Sequence, residues 1–148
     1  MTWVLTHNPV LNEHQDAVRN RIIKITTALE HELGLDGWLQ IRHHFSIGYD
    51  GDDALDNDGI LTVYKTTATT TPQWEYRFAK ITWYLTTAAT QTDEELEAVA
   101  IHEYLHCLLS PIATLLPASQ KGIVKLEEFV TESLMRVIGH ARGMNNIR

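Results

Sequence analysis

The sequence predicts a single α+β domain: one helix, then an antiparallel sheet of three strands or slightly more, then two helices. Three observations predict it. Apolar residues recur near every 3.6 positions at both ends of the chain, strict alternation takes over in the middle, and no repeat, linker or low-complexity tract divides the 148 residues. With 44% apolar and 21% charged residues, that length supports one core but not two full domains.

Asn8 and Pro9 read as N-cap and first helical residue, ahead of an apolar stripe at Leu11, Val18, Ile22, Ile25, Leu29 and Leu33 that Gly34 should end. From Trp38 the pattern alternates. Leu39, Ile41, His43, Phe45 and Ile47 share one face and Gln40, Arg42, His44 and Ser46 the other, as in a half-buried strand. An acidic, turn-forming stretch (50–59) leads to a β-branched segment (60–71) ended by Pro72. A third strand-like run (74–87) follows, and the three together read as an antiparallel meander. Thr92 with Glu95 forms a capping-box signature, and Asp93, Glu94 and Glu95 put negative charge at the start of a helix expected to reach about Leu109. Ser110, Pro111 and Pro117 mark a connection. The last helix is expected from Ala118 to Ala141, with Ile123, Leu126, Val130, Leu134 and Val137 inward.

Twelve basic against nineteen acidic side chains give a net charge of −7, which argues against a phosphate-backbone footprint, so no nucleic-acid partner is expected. A single cysteine, Cys107, cannot close an intrachain disulfide. Residues 1–9 carry no basic run followed by an apolar one, and no segment reaches the roughly 20 apolar residues that span a bilayer. A cytoplasmic protein without membrane contact is the expectation. Eight histidines accompany that one cysteine, so metal chemistry here would use imidazole and carboxylate.

The first C-terminal helix carries His102-Glu103-Tyr104-Leu105-His106, an HExxH pattern. Residues four apart lie one turn apart on nearly the same helix face, so the two imidazoles can converge on one Zn²⁺. Glu103 is rotated about 100° from His102 and flanks the ion, placed to take a proton from a water whose pKa zinc lowers to about 7. A catalytic zinc needs a third protein ligand and an open position. A third histidine six residues on is missing, since Ile112 stands there, and the next histidine is His140. Carboxylates remain: Glu127, Glu128 and Glu132 of the last helix, about twenty residues beyond His106. Periodicity brings Glu127 nearest the apolar stripe.

This arrangement resembles the gluzincin class of metallopeptidases, whose third ligand is a glutamate on the helix after HExxH. Matching Glu128-Phe129-Val130-Thr131-Glu132 to that pattern implies Glu128 as the ligand and Glu132 as a partner of a ligand histidine, with Glu127 as the alternative third ligand. Residues 79–85, Asp93 to Glu97, the HExxH helix ending Leu108-Leu109-Ser110-Pro111, and Glu127-Glu128-x-Val130 look like the small single-domain HExxH proteins of bacteriophage and prophage genomes, over residues 79–138. That resemblance implies a minimal zincin-like fold and a zinc-dependent hydrolase of peptide bonds, with a peptide or protein substrate and a host-cell cytoplasmic setting. A zinc-binding interaction module with little or no hydrolysis is the alternative. In larger relatives a strand beside the active helix pairs with extended peptide, a role that would fall to residues 81–85. Candidates for an oxyanion-stabilising group are His140, Arg136 and Tyr84.

Other features read as structural. Asp50, Asp52, Asp53, Asp56 and Asp58 suit a solvated turn, since Leu61 or Val63 stands where a calcium loop needs glutamate. His43 is expected to be a hydrogen-bonded core histidine, Cys107 a small buried hydrophobe, and the four tryptophans core residues.

Overall fold

A computed structural model describes residues 11–47, 54–55, 61–62, 66–115 and 121–144. The described elements are α1 (Glu13–Glu32), β1 (Gln40–Ser46), β2 (Ala54–Leu55), β3 (Leu61–Thr62), β4 (Ala68–Gln73), a 3₁₀ turn (Trp74–Tyr76), β5 (Phe78–Tyr84), α2 (Leu85–Ala88), α3 (Asp93–Thr114) and α4 (Lys121–Ala141). The fold is α+β.

α1 starts later than expected. Its N-cap is Asn12, whose side chain accepts from Gln15 N–H while the Gln15 side chain accepts from Asn12 N–H, and Leu11 precedes the helix. Asn8 and Pro9 lie outside the described residues. Gly34 ends the helix as expected, at φ +70°, a conformation that costs glycine little.

The meander expectation is overturned. β5 lies in the centre of a three-stranded mixed sheet ordered β1-β5-β4, parallel to β1 (Ile41 opposite Ala79, His43 opposite Ile81) and antiparallel to β4 (Thr70 opposite Ile81). The expected second strand is divided: Leu61–Thr62 pairs with Ala54–Leu55 in a separate ribbon, and Ala68–Gln73 forms β4. Most of the acidic 50–59 turn, with its five aspartates, lies outside the described residues. Pro72 falls inside β4 rather than ending it, which an edge strand tolerates because one side of its backbone donates to no ladder. Trp74 and Tyr76 occupy the 3₁₀ turn, so the expected third strand shortens to Phe78–Tyr84. With β5 central, the sheet edge beside the HExxH helix is β4, not residues 81–85.

Ile41 of β1 and Ala79, Ile81 and Trp83 of β5 are buried, and their sheet packs with Val18, Ile22 and Leu29 of α1 and Leu96, Ala100, Ile101 and Tyr104 of α3. Trp83 is fully buried; Trp38 and Trp74 are exposed, so the expectation that every tryptophan builds the core fails. His43 is the predicted core histidine. Trp83 Nε1–H donates to His43 Nδ1 (3.0 Å), which leaves His43 Nε2–H to donate to Glu30 Oε2 (3.2 Å); Tyr104 O–H donates to the same oxygen (3.0 Å). This buried network links α1, β1, β5 and α3. Arg21 joins α1 to the start of α3 through Asp93 and the Gln91 carbonyl, both at 2.8 Å. Arg142, just past α4, pairs with Glu32 of α1 (2.7 Å) and Glu97 of α3 (2.5 Å).

Two helices depart from expectation. α3 continues through Pro111 to Thr114 instead of stopping near Leu109. α4, of which residues 118–120 of the expected helix lie outside the described residues, turns a different face inward: Thr131, Met135 and Gly139 are buried, while Leu126, Leu134 and Val137 of the predicted stripe are exposed and Val130 is half-buried. Ile123 belongs to residues whose side chains are not described. The two faces predict different stabilities. Met135→Ala is expected to cost about 2–5 kcal/mol and Val137→Ser less than about 0.5 kcal/mol in urea unfolding, whereas the predicted stripe requires the reverse order. Among the described residues, no helix is long and apolar enough to cross a membrane.

Candidate metal centre

α3 carries the HExxH pattern in its middle, and its entry is anchored by the predicted capping box: Glu95 N–H donates to Thr92 Oγ1 (3.2 Å) and Thr92 N–H to Glu95 Oε2 (2.8 Å). The i, i+4 spacing brings the His102 and His106 rings to 4.7 Å between centroids, with their Nε2 atoms 3.0 Å apart. α4 packs against α3 and supplies three carboxylates. Glu128 reaches both Nε2 atoms, with Oε1 3.2 Å from His106 and Oε2 3.8 Å from His102. Glu132 Oε1 lies 2.9 Å from His102 Nδ1 and Glu127 Oε1 lies 3.1 Å from His106 Nδ1.

These distances divide the glutamates by role. His102, His106 and Glu128 each offer one atom within 4.8 Å of the others, while Glu127 sits behind His106 and Glu132 behind His102. Each Nδ1 has a carboxylate to donate to, and an imidazole protonated at Nδ1 alone presents its lone pair at Nε2, the form in which histidine ligates through that atom. Both Nε2 atoms and a Glu128 oxygen converge on one point, and with both rings in that tautomer the three would present lone pairs to a cation. Zinc bonds of about 2.0–2.1 Å in a tetrahedron separate ligand atoms by roughly 3.3 Å, near the 3.0 Å between the two Nε2 atoms and the 3.2 Å from His106 to Glu128, while the other Glu128 oxygen lies 3.8 Å from His102. No family model, curated protein or solved structure matches this chain.

Glu103 is buried on the flank of the cluster, and Thr70 of β4 donates a hydrogen bond to its Oε2. Burial pushes the Glu103 carboxyl above the usual carboxylate range; the Thr70 bond and then the two imidazoles pull the other way, and Glu128 adds to the rise. Glu103 and His102 line two cavities, of about 690 and 660 Å³, that meet along the approach to β4 at Thr66 and Ala68. The second cavity also touches His106, Glu127, Glu128, Thr70 and Pro72. The site is thus a cation cradle beside a buried carboxyl, with open space on both sides and an edge strand running past it.

Thr70 is the residue that sequence reasoning missed. It stands 33 positions from Glu103 in a threonine-rich run explained by β-propensity alone; the one available signal was the alternation that puts Ala68, Thr70 and Pro72 on a common face. Cys107 behaves as expected: it is buried among apolar groups, which push its thiol up to about 12, so it is no nucleophile at neutral pH. None of the oxyanion candidates lines either cavity. His140 and Arg136 are exposed on α4, and the Tyr84 hydroxyl lies 3.3 Å from Thr69 Oγ1.

Proposed function

We propose that this protein is a minimal zincin-like zinc metallopeptidase, with His102, His106 and Glu128 as the metal ligands and Glu103 as the general base. One observation carries the reading: each histidine has a carboxylate beside Nδ1 while its Nε2 converges with Glu128. A His₂Glu donor set suits zinc, and Glu132 and Glu127 would fix the tautomer and strengthen the donor histidines. Bound there, zinc would supply Lewis acidity to a peptide carbonyl and acidify a neighbouring water.

The remaining chemistry belongs to the chain. The Glu103 carboxyl would accept a proton from the attacking water and hand it to the leaving amine, and Thr70 holds the carboxyl in place for both transfers. Among the described residues β4 is an edge strand beside the cavities, along which an extended peptide would add as a further strand. The alternative, a zinc-holding interaction module with little hydrolysis, draws support from the absence of His140, Arg136 and Tyr84 from the cavity linings.

Metal analysis tests the centre. Protein from zinc-supplemented expression is expected to hold about one equivalent; less than about half, with stability unchanged by chelator, overturns the reading. Glu127→Ala should weaken zinc binding by about 10–100-fold and Glu128→Ala by more, and the opposite order transfers the ligand role to Glu127.

A further inference from the structure

α4 presents its apolar stripe on the side away from α3. At about 100° per residue, Leu126, Val130, Ser133 and Val137 fall within roughly 60° of one another, Phe129 and Leu134 flank them, and the stripe lies nearly opposite buried Thr131, Met135 and Gly139. Phe129 is 69% and Val137 66% exposed, so this is a clustered apolar surface of the kind that marks an interface. The six stripe positions are spaced three, one, three, one and three residues apart, an order that reads the same in both directions. Such a stripe is complementary to itself when two copies of the helix run antiparallel about a two-fold axis. Leu126 then meets the second copy's Val137, Val130 meets the second copy's Ser133, and the axis passes level with the peptide bond between residues 131 and 132.

The polar residues fit that pairing. Ser133 O–H donates to the Phe129 carbonyl (2.7 Å), so its burial leaves no hydroxyl without a partner, and its small side chain lets the helices approach at the crossing. On one flank exposed Arg136 falls beside the second copy's Phe129, a cation near an aromatic face. On the other flank Leu134 falls beside the second copy's Glu127, whose Oε1 is engaged by His106 Nδ1 (3.1 Å). A lipid surface fits less well, because interfacial helices carry basic polar faces, whereas α4 carries Glu127, Glu128 and Glu132 in a chain of net charge −7.

We propose that the outward stripe of α4 is the seam of a two-fold dimer of this chain, formed by antiparallel pairing of the two α4 helices over residues 126–137. A seam of that length runs about 18 Å. It stands at the small end of specific interfaces, below about 1,200 Å² in total, so association in the range of about 1–100 μM is expected. Pairing braces α4 from the side opposite α3, and with it the carboxylates held against His102 and His106. Only that consequence rests on the metal reading; the pair itself does not.

Sedimentation velocity of the full chain, from about 1 to about 300 μM, tests the pair. The mass should rise from 16.9 kDa towards twice that value and stop there. Val137→Glu should stay monomeric throughout, while its urea midpoint at about 1 μM keeps near that of the wild type, since residue 137 is exposed in the single chain. Phe129 tests the register. Phe129→Lys, which would face the second copy's Arg136, should weaken association at least about tenfold, and Phe129→Glu, which would face the same cation, should weaken it several-fold less. A monomer at every concentration overturns the proposal, and flotation of that monomer with phosphatidylcholine vesicles would give the stripe to a lipid surface instead. Association that survives Val137→Glu, that continues past two copies, or that Phe129→Lys and Phe129→Glu weaken equally overturns the seam. A dimer that forms equally in chelator-treated protein without zinc upholds the pair and leaves the metal reading to its own assay.

Discussion

Glu103→Gln is expected to lower the rate of peptide cleavage by about 10²–10⁴-fold while the protein keeps its equivalent of zinc. The substitution preserves an acceptor for Thr70 O–H and removes only the capacity to take and return a proton. Glu103 lies one helical step from His102 and outside the converging donor set, so metal content should hardly change. Library cleavage by wild type and variant, with zinc quantified in the same samples, separates the two roles. Equal cleavage by both would remove Glu103 from the mechanism. Loss of zinc from the variant would make it part of the metal's support instead.

The largest stability effect is expected at Glu30→Ala, at about 3–5 kcal/mol in urea unfolding. Glu30 Oε2 is the shared acceptor for His43 Nε2–H and Tyr104 O–H, and all three side chains are buried. Truncation removes the shared acceptor of both donors from a buried site, and it opens a cavity between α1 and α3. Against a typical total of 5–15 kcal/mol, that is a large share. Tyr104→Phe removes one donor together with its need and should cost less than Glu30→Ala. A cost for Glu30→Ala below about 1 kcal/mol would mean that the network does not hold α1, β1 and α3 together. Because Tyr104 follows Glu103 directly, loosening this network should also blunt any activity that depends on the placement of Glu103.

Much of the site is legible in the sequence because it is local. The His102–His106 relation is a property of any α-helix, and the Thr92–Glu95 box announces where that helix begins. The same holds for Gly34 and for the alternation of β1, in which Ile41 and His43 face inward. The rest is not local. β1 and β5 pair in parallel across 38 positions, as in Gln40 opposite Phe78, and no turn in the sequence records that pairing. Thr70 meets Glu103 only because β4 takes the edge position beside α3.

α4 is the most instructive departure. Its apolar stripe is strong, yet the side that packs on α3 carries Glu127, Thr131 and Met135, because this is the side that must deliver carboxylates to two histidines. Hydrophobic periodicity finds the inward face of a helix when burial of apolar area is the only demand on it. Here a polar cluster shares the interface, and the stripe points toward solvent.

By itself, then, the sequence determined the α+β class, the helical His102–Glu103–His106 constellation and the short list of carboxylates able to complete it, since each follows from spacing along one element. Tertiary structure decided the sheet order, the Thr70 contact with Glu103, and which glutamate meets both Nε2 atoms. Glu127 and Glu128 differ by about 100° around α4, and only the way α4 lies on α3 converts that angle into a place behind His106 or a place among the converging donors.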